Sequence, residues 1–188
     1  MRARHPQTML RLARERAERT YASIEAALSK DTRAALEHAI PAAWLPMEID
    51  VEVIEAVTAE LGAEMAAELV TARQREEIGS ALFHTFVQTI LRISGASPST
   101  MVKQLPSGWK QLFRDAGTIE IAAIEANDAS VVVRDLPRVC TMSAAWMSAL
   151  PIGFSMLYEI IGVKGTVAVE PRSVLDGGVR LTFRWTKA

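Results

Sequence analysis

The chain has 188 residues and a mass of 20.6 kDa, with 21 lysines and arginines against 22 aspartates and glutamates, 49% apolar residues and one cysteine. That composition suits one domain whose core needs neither a disulfide nor a structural metal, and it excludes collagen-like, low-complexity and disulfide-rich classes. Histidines at positions 5, 38 and 84 with a lone cysteine do not complete a zinc site, so no metal and a reducing, cytoplasmic compartment are expected.

The first two thirds of the chain read as helices. Gln7 to Ser29 carries Leu10, Ala13, Ala17, Ile24 and Leu28 at helical spacing, and Asp31 is the expected N-cap of a short helix from Thr32 to Ala39. Pro41 and Pro46 break the chain. Asp50 is the expected cap of the next helix, where Val53, Ile54, Val57 and Leu61 form an apolar stripe that Gly62 stops. Ala63 to Glu77 restarts with Met65, Leu69 and Val70, and an apolar helix follows from Ser80 to Ile93. Ser99 to Asp115 reads as one or two short helices interrupted at Pro106 and Gly108.

After Gly117 the period falls to two. Thr118 to Glu125 and Ser130 to Arg134 read as a hairpin, and the uncharged run from Val139 to Tyr158 falls in a helix expected from Cys140 to Ile161 with a kink at Pro151. Its length would reach across a bilayer, but its serines, Pro151 and Gly153 favour a buried helix, so no integral membrane segment is expected. Val163 to Glu170 and Val179 to Thr186 form a second pair of strands around Asp176-Gly177-Gly178. The fold class is α+β: an N-terminal helical part, then a β-β-α-β-β antiparallel sheet covered by a long helix. One domain over 1–188 is expected, with a basic N-terminal helix or arm at 1–20, a helical part at 21–116 and a sheet-plus-helix part at 117–188.

The near-zero charge hides two opposed blocks. Six arginines between Arg2 and Arg19 face only Glu15 and Glu18, whereas eleven acids between Asp31 and Ser80 face only Arg33, Arg73 and Arg75. A nucleic-acid or anionic-membrane arm is one reading of the arginines. The other is a solvated helix beside the acidic segment of this chain or of a second copy, which the lack of interleaved aromatics favours. No nucleic-acid partner is expected.

Candidate chemistry is sparse. Glu77, Ser80 and His84 share a helix face, but one straight helix aligns a serine–histidine pair poorly and no oxyanion hole is recognisable. His84 reads better as a core histidine bonded to a carbonyl or to Gln88, with haem or metal ligation as its alternative. Cys140 stands at the start of the uncharged helix, where a thiol is either activated by the free amides or buried. Trp109, Phe113, Met142, Trp146, Met147 and Met156 line an apolar ligand pocket or fill a core, with Trp146 on the sheet-facing side of its helix.

Several phrases in order, Trp44-Leu45-Pro46, Ile54 to Gly62, Leu91-Arg92-Ile93-Ser94-Gly95, Trp109 to Gly117, Trp146 with Leu150, and Gly178 to Trp185, resemble a paralogous family of uncharacterised myxobacterial proteins. More distantly, helices followed by β-β-α-β-β resemble the haem nitric-oxide/oxygen-binding (H-NOX), 4-vinyl-reductase-like and TRAPP-like domains. The haem-binding resemblance implies a proximal histidine before the sheet and a Tyr-x-Ser-x-Arg phrase on the propionates. Ser107 to Gly117 has no histidine, and Tyr21-Ala22-Ser23-Ile24-Glu25 ends in a carboxylate. The resulting expectation is a non-enzymatic sensory or scaffold domain that binds a partner protein or itself as a homo-oligomer, without a cofactor and with no catalytic residue. An internal site for an apolar small molecule at His84, Trp109, Phe113, Cys140 and Trp146 is its option. The alternative is a small enzyme or a haem- or cofactor-binding sensor using His84 or Cys140.

Overall fold

The computed structural model describes residues 1–80, 88–89, 92, 97–170 and 178–186. Two compact units divide the chain. The first comprises Met1–Gln74 with Pro137–Leu150, and the second Arg75–Leu136 with Pro151–Ala188. The elements in order are α1 (Arg4–Arg16), α2 (Glu18–Ala27), α3 (Lys30–His38), α4 (Met47–Ile78), α5 (Pro98–Leu112), β1 (Thr118–Ile124), β2 (Asp128–Arg134), α6 (Arg138–Met142), α7 (Ala144–Ile161), β3 (Gly165–Val169) and β4 (Gly178–Trp185). The α+β architecture with a four-stranded antiparallel sheet is as expected.

In the first unit the expected helix from Gln7 to Ser29 is two helices, because Ala17 leaves helical geometry at φ −138° and ψ 46°. Met9, Leu12 and Ala13 of α1 are buried, so this segment is a packed helix rather than a loose arm. Its arginines act locally: Arg2 stacks on Trp44, Arg11 pairs with Glu15 and Arg14 lies over Tyr21. The cap of α3 is Ser29 and not Asp31, since the Ser29 hydroxyl accepts the Thr32 amide at 3.2 Å. The Glu52 carboxylate accepts from the Ser29 amide and hydroxyl and the Thr32 hydroxyl, placing a negative charge at the positive end of α3.

Gly62 interrupts α4 at φ 81° and ψ 163°, a region open in practice only to glycine. An unbroken helix would separate residues 50 and 73 by about 35 Å at 1.5 Å per residue. Yet Arg73 donates to Asp50 at 3.2 Å. Helix α4 therefore doubles back at Gly62, as the stop and restart in its apolar pattern predict.

In the second unit the sheet order is β1-β2-β4-β3. Ala129, Val131 and Val133 of β2 stand opposite Phe183, Leu181 and Val179 of β4, and these six side chains make the buried face. An irregularity between Ile121 and Ala123 inserts one residue into β1, so Ile124 pairs with Ala129 and joins Ile119 and Ile121 on that face. Alternation alone puts Ile124 on the opposite side. The other face is polar: Arg134 pairs with Glu120, Arg180 donates to Ser130 at 3.1 Å, and Thr182 donates to Glu170 at 2.8 Å.

Helix α5 runs unbroken through Pro106, where two short helices were an open expectation, and Ser97 caps it by accepting the Thr100 amide. The uncharged segment divides instead at Ser143, so Cys140 belongs to the short α6 and not to the start of the long helix. Among the described residues, α7 is one helix long and apolar enough to cross a membrane by length and composition. Most of the expected helix from Ser80 to Ile93 lies outside the described residues, as does the Asp176-Gly177 part of the expected turn.

Candidate functional site

The candidate residues fall into two groups, one in each unit. In the first unit Ser143 caps α7 by accepting the Trp146 amide at 3.2 Å, which fixes the start of the helix and with it the Trp146 side chain. The Trp146 indole donates to Asp50 Oδ2 at 3.0 Å, while Arg73 Nη1 donates to Asp50 Oδ1 at 3.2 Å. Asp50, Arg73 and Trp146 are 1%, 2% and 3% exposed. Trp146 thus joins α4 of its own unit through Asp50. Asp50 is not a cap: α4 starts at Met47, and the carboxylate is the acceptor at the centre of a buried polar cluster.

A buried ion pair is sustained only when its remaining donors and acceptors are satisfied. Both Asp50 oxygens are engaged. Arg73 Nε has no hydrogen-bond partner among the described residues. A buried donor left unpaired costs about 1–3 kcal/mol.

Cys140 is fully buried in the same unit. Burial first, then the Asp50 and Glu48 carboxylates, push its thiol up to about 12. It is protonated at neutral pH and offers no activated thiolate, so the buried alternative applies.

In the second unit Trp109 and Phe113 of α5 come together with Phe154 of α7 and Phe183 of β4. Ring centroids lie 4.2 Å apart for Trp109–Phe113, 5.9 Å for Trp109–Phe154 and 5.8 Å for Phe154–Phe183. The Trp109 indole donates to the Ala116 carbonyl at 3.2 Å. These rings pack on one another, with Trp109, Phe154 and Phe183 buried and Phe113 half-buried. Met156 is buried, but Met142 is 70% exposed and lines nothing. His84 lies outside the described residues, and Gln88 is helical and exposed. Among the described residues no three His, Cys, Asp or Glu side chains gather as a metal site.

Sequence reasoning took Asp50 for a cap and passed over Arg73, although the signal was there. Asp50 continues the stripe Val53, Ile54 and Val57 at offsets of three, four and seven, and Arg73 stands four residues after Leu69 and three after Val70. A charge on an apolar stripe is either an error of phase or a buried partner.

No family model matches the chain, and no curated protein does. The myxobacterial family membership expected from local phrases is therefore not shown. Solved structures do match. The Fe(II) unliganded H-NOX protein from K. algicida is 8% identical, with 100% of this chain and 98% of that one covered at a TM-score of 0.69. A point mutant of the T. tengcongensis H-NOX is 11% identical over 100% and 98% at 0.62. The H-NOX protein from S. oneidensis in the Fe(II)NO ligation state is 10% identical over 100% of both chains at 0.61. This chain has the H-NOX fold over its whole length. That finding overturns the expected scaffold domain defined by a partner protein: the complete fold is shared with proteins described by a ligation state of iron.

Proposed function

We propose that the chain is a cofactor-binding sensor domain, not an enzyme, operating in a reducing, cytoplasmic setting. The observation that supports this most is the full-length likeness to H-NOX structures, two of which are described by the state of their Fe(II).

The donor set limits how haem is held. Between Pro98 and Leu112, α5 has no histidine, cysteine or tyrosine, and its buried positions are Met101, Val102, Leu105 and Trp109. Cys140 is a buried thiol that keeps its proton in the absence of a metal. Helix α5 thus offers no imidazole, phenolate or thiolate, and Met101 is its one buried side chain with an atom that could ligate iron. His84 is the remaining sequence candidate for ligation.

Absorption spectroscopy and intact-mass measurement on the protein as isolated, and after hemin is added, test the reading. A Soret band in the wild type that His84→Gln abolishes supports an iron cofactor. A chromophore or mass adduct without a Soret band supports a metal-free one. Protein that carries nothing and takes up no hemin refutes the proposal.

A further inference from the structure

The two outer strands of the sheet differ in how their edges are protected. β1 carries an irregularity between Ile121 and Ala123 and a charge at Glu120, features that discourage a further strand from pairing there. β3 carries neither. Its sequence Gly-Thr-Val-Ala-Val has no charge and no proline, and its register with β4 is regular from Gly165 to Val169.

Among the described residues β3 is paired on one side only. The Thr186 amide donates to the Lys164 carbonyl at 3.1 Å, and the Glu170 amide donates to the Arg180 carbonyl at 3.0 Å, so the even-numbered residues bond to β4. Antiparallel bonding alternates, and the amides and carbonyls of Gly165, Val167 and Val169 therefore point away from the sheet. None of these three has another hydrogen-bond partner among the described residues.

This edge is complementary to itself. When a second copy of β3 lies antiparallel with each Val167 opposite its counterpart, Gly165 stands opposite Val169, and the outward groups exchange about six hydrogen bonds. The same register sets the exposed Lys164 opposite Glu170 of the second copy, once at each end. A slip in either direction separates these charges. Within its own chain Glu170 accepts from Thr182 at 2.8 Å and lies 3.6 Å from Arg180, which holds its carboxylate on the face that Lys164 shares. On the other face the half-buried Val167 and Val169 extend the apolar layer of Phe183 and Leu181 toward the second copy.

We propose that β3 is a homodimer interface, where two copies of this chain join antiparallel about Val167 into one continuous sheet. The interface goes beyond the cofactor reading and does not depend on it.

Sedimentation velocity of the full chain from about 1 to 500 µM, a range suited to a small interface, should show a monomer passing into a dimer. Amide exchange at Gly165, Val167 and Val169 should slow as the dimer fills, whereas Thr166 and Ala168 are already protected in the monomer. Lys164→Glu sets like charges at both ends and should weaken the dimer at least about tenfold. Glu170→Lys alone should do the same, and an equimolar mixture of the two variants should associate again, because each carboxylate then meets a lysine. Val167→Pro removes the amide at the axis, which no bond to β4 uses, and should abolish dimerisation in a folded monomer. Lys164→Glu and the exchange pattern still decide if Glu170→Lys or Val167→Pro fails to fold. A monomer throughout the range, a dimer indifferent to Lys164→Glu, or unchanged exchange at the three amides would each overturn the proposal. Protection of those amides by an added extended peptide in a chain that stays monomeric would assign the edge to another partner and overturn it as well.

Discussion

The helical unit and the sheet unit solve the same problem by different means. The sheet unit segregates its chemistry by strand parity, with Val131, Val133, Leu181 and Phe183 on one side and Arg134, Arg180 and Thr182 on the other. The helical unit buries charge. Asp50 and Arg73 occupy positions in an apolar stripe and are tolerated because they meet each other and the Trp146 indole. A sheet with one solvated face has room for every charge outside, whereas a helix that doubles back at Gly62 encloses whatever its inner stripe carries.

Removing one partner from the enclosed cluster should have the largest effect. Asp50→Ala leaves Arg73 and the Trp146 N–H without their acceptor and should cost about 3–5 kcal/mol in urea unfolding. The double substitution Asp50→Leu with Arg73→Met removes both charges and should stay within about 1 kcal/mol of the wild type. If the double variant loses as much as the single one, the cluster is not an isolated pair and the contrast between the units fails.

Trp146→Ala should lose about 3–5 kcal/mol through transfer energy and a residual cavity. Trp146→Phe keeps most of the volume and strands one Asp50 oxygen, so a loss of about 1–3 kcal/mol is expected. The sheet unit offers a counterpart without polar chemistry. At Gly165 of β3 an added Cβ would lie 2.5 Å from the Tyr158 ring, so Gly165→Ala should cost about 1–3 kcal/mol by overpacking alone. Unfolding midpoints for the two variants separate hydrogen-bond loss from steric strain. The Arg184 carbonyl oxygen would lie 2.7 Å from the same Cβ, so a Gly165→Ala protein as stable as the wild type would show that both the Tyr158 ring and the β3–β4 backbone give way.

The contrast also explains what was legible in the sequence. Period-two alternation reports directly on which face is buried, so the strands and the shared face of Leu181, Phe183 and Trp185 were readable. The β1 irregularity was not, because inserting Ala122 changes the phase of Ile124 without changing composition. In the helical unit the turn at Gly62 was legible from glycine and the restart of the stripe. Asp50 was misread because an aspartate near a helix start is ordinarily a cap, and only the distant Arg73 and Trp146 reveal the other use. The candidate site was less legible for the same reason. Trp109, Phe113, Cys140 and Trp146 are all apolar enough for a pocket, and only tertiary packing divides them between an aromatic core and the surroundings of an ion pair.

The last effect is a pH dependence to which each unit contributes one group. Burial and the carboxylates of Asp50 and Glu48 raise the Cys140 thiol from its ordinary value of 9.0 to about 12. A group whose pKa is higher in the folded state favours folding fully below its unfolded value and loses that contribution as pH rises through the folded one. Stability should therefore be unaffected by Cys140 below pH 9 and decline between 9 and about 12, where the unfolded chain releases a proton that the folded chain retains. Tyr158 in the sheet unit, raised from 10.0 to about 12 by burial, adds a decline that begins one pH unit later. Urea midpoints of Cys140→Ala and Tyr158→Phe, each compared with the wild type from pH 8 to 11, separate the two groups. The Cys140 variant should flatten the curve from pH 9 and the Tyr158 variant only from pH 10. An unchanged slope in Cys140→Ala would mean that water reaches the thiol, and with it the edge of the Asp50 cluster.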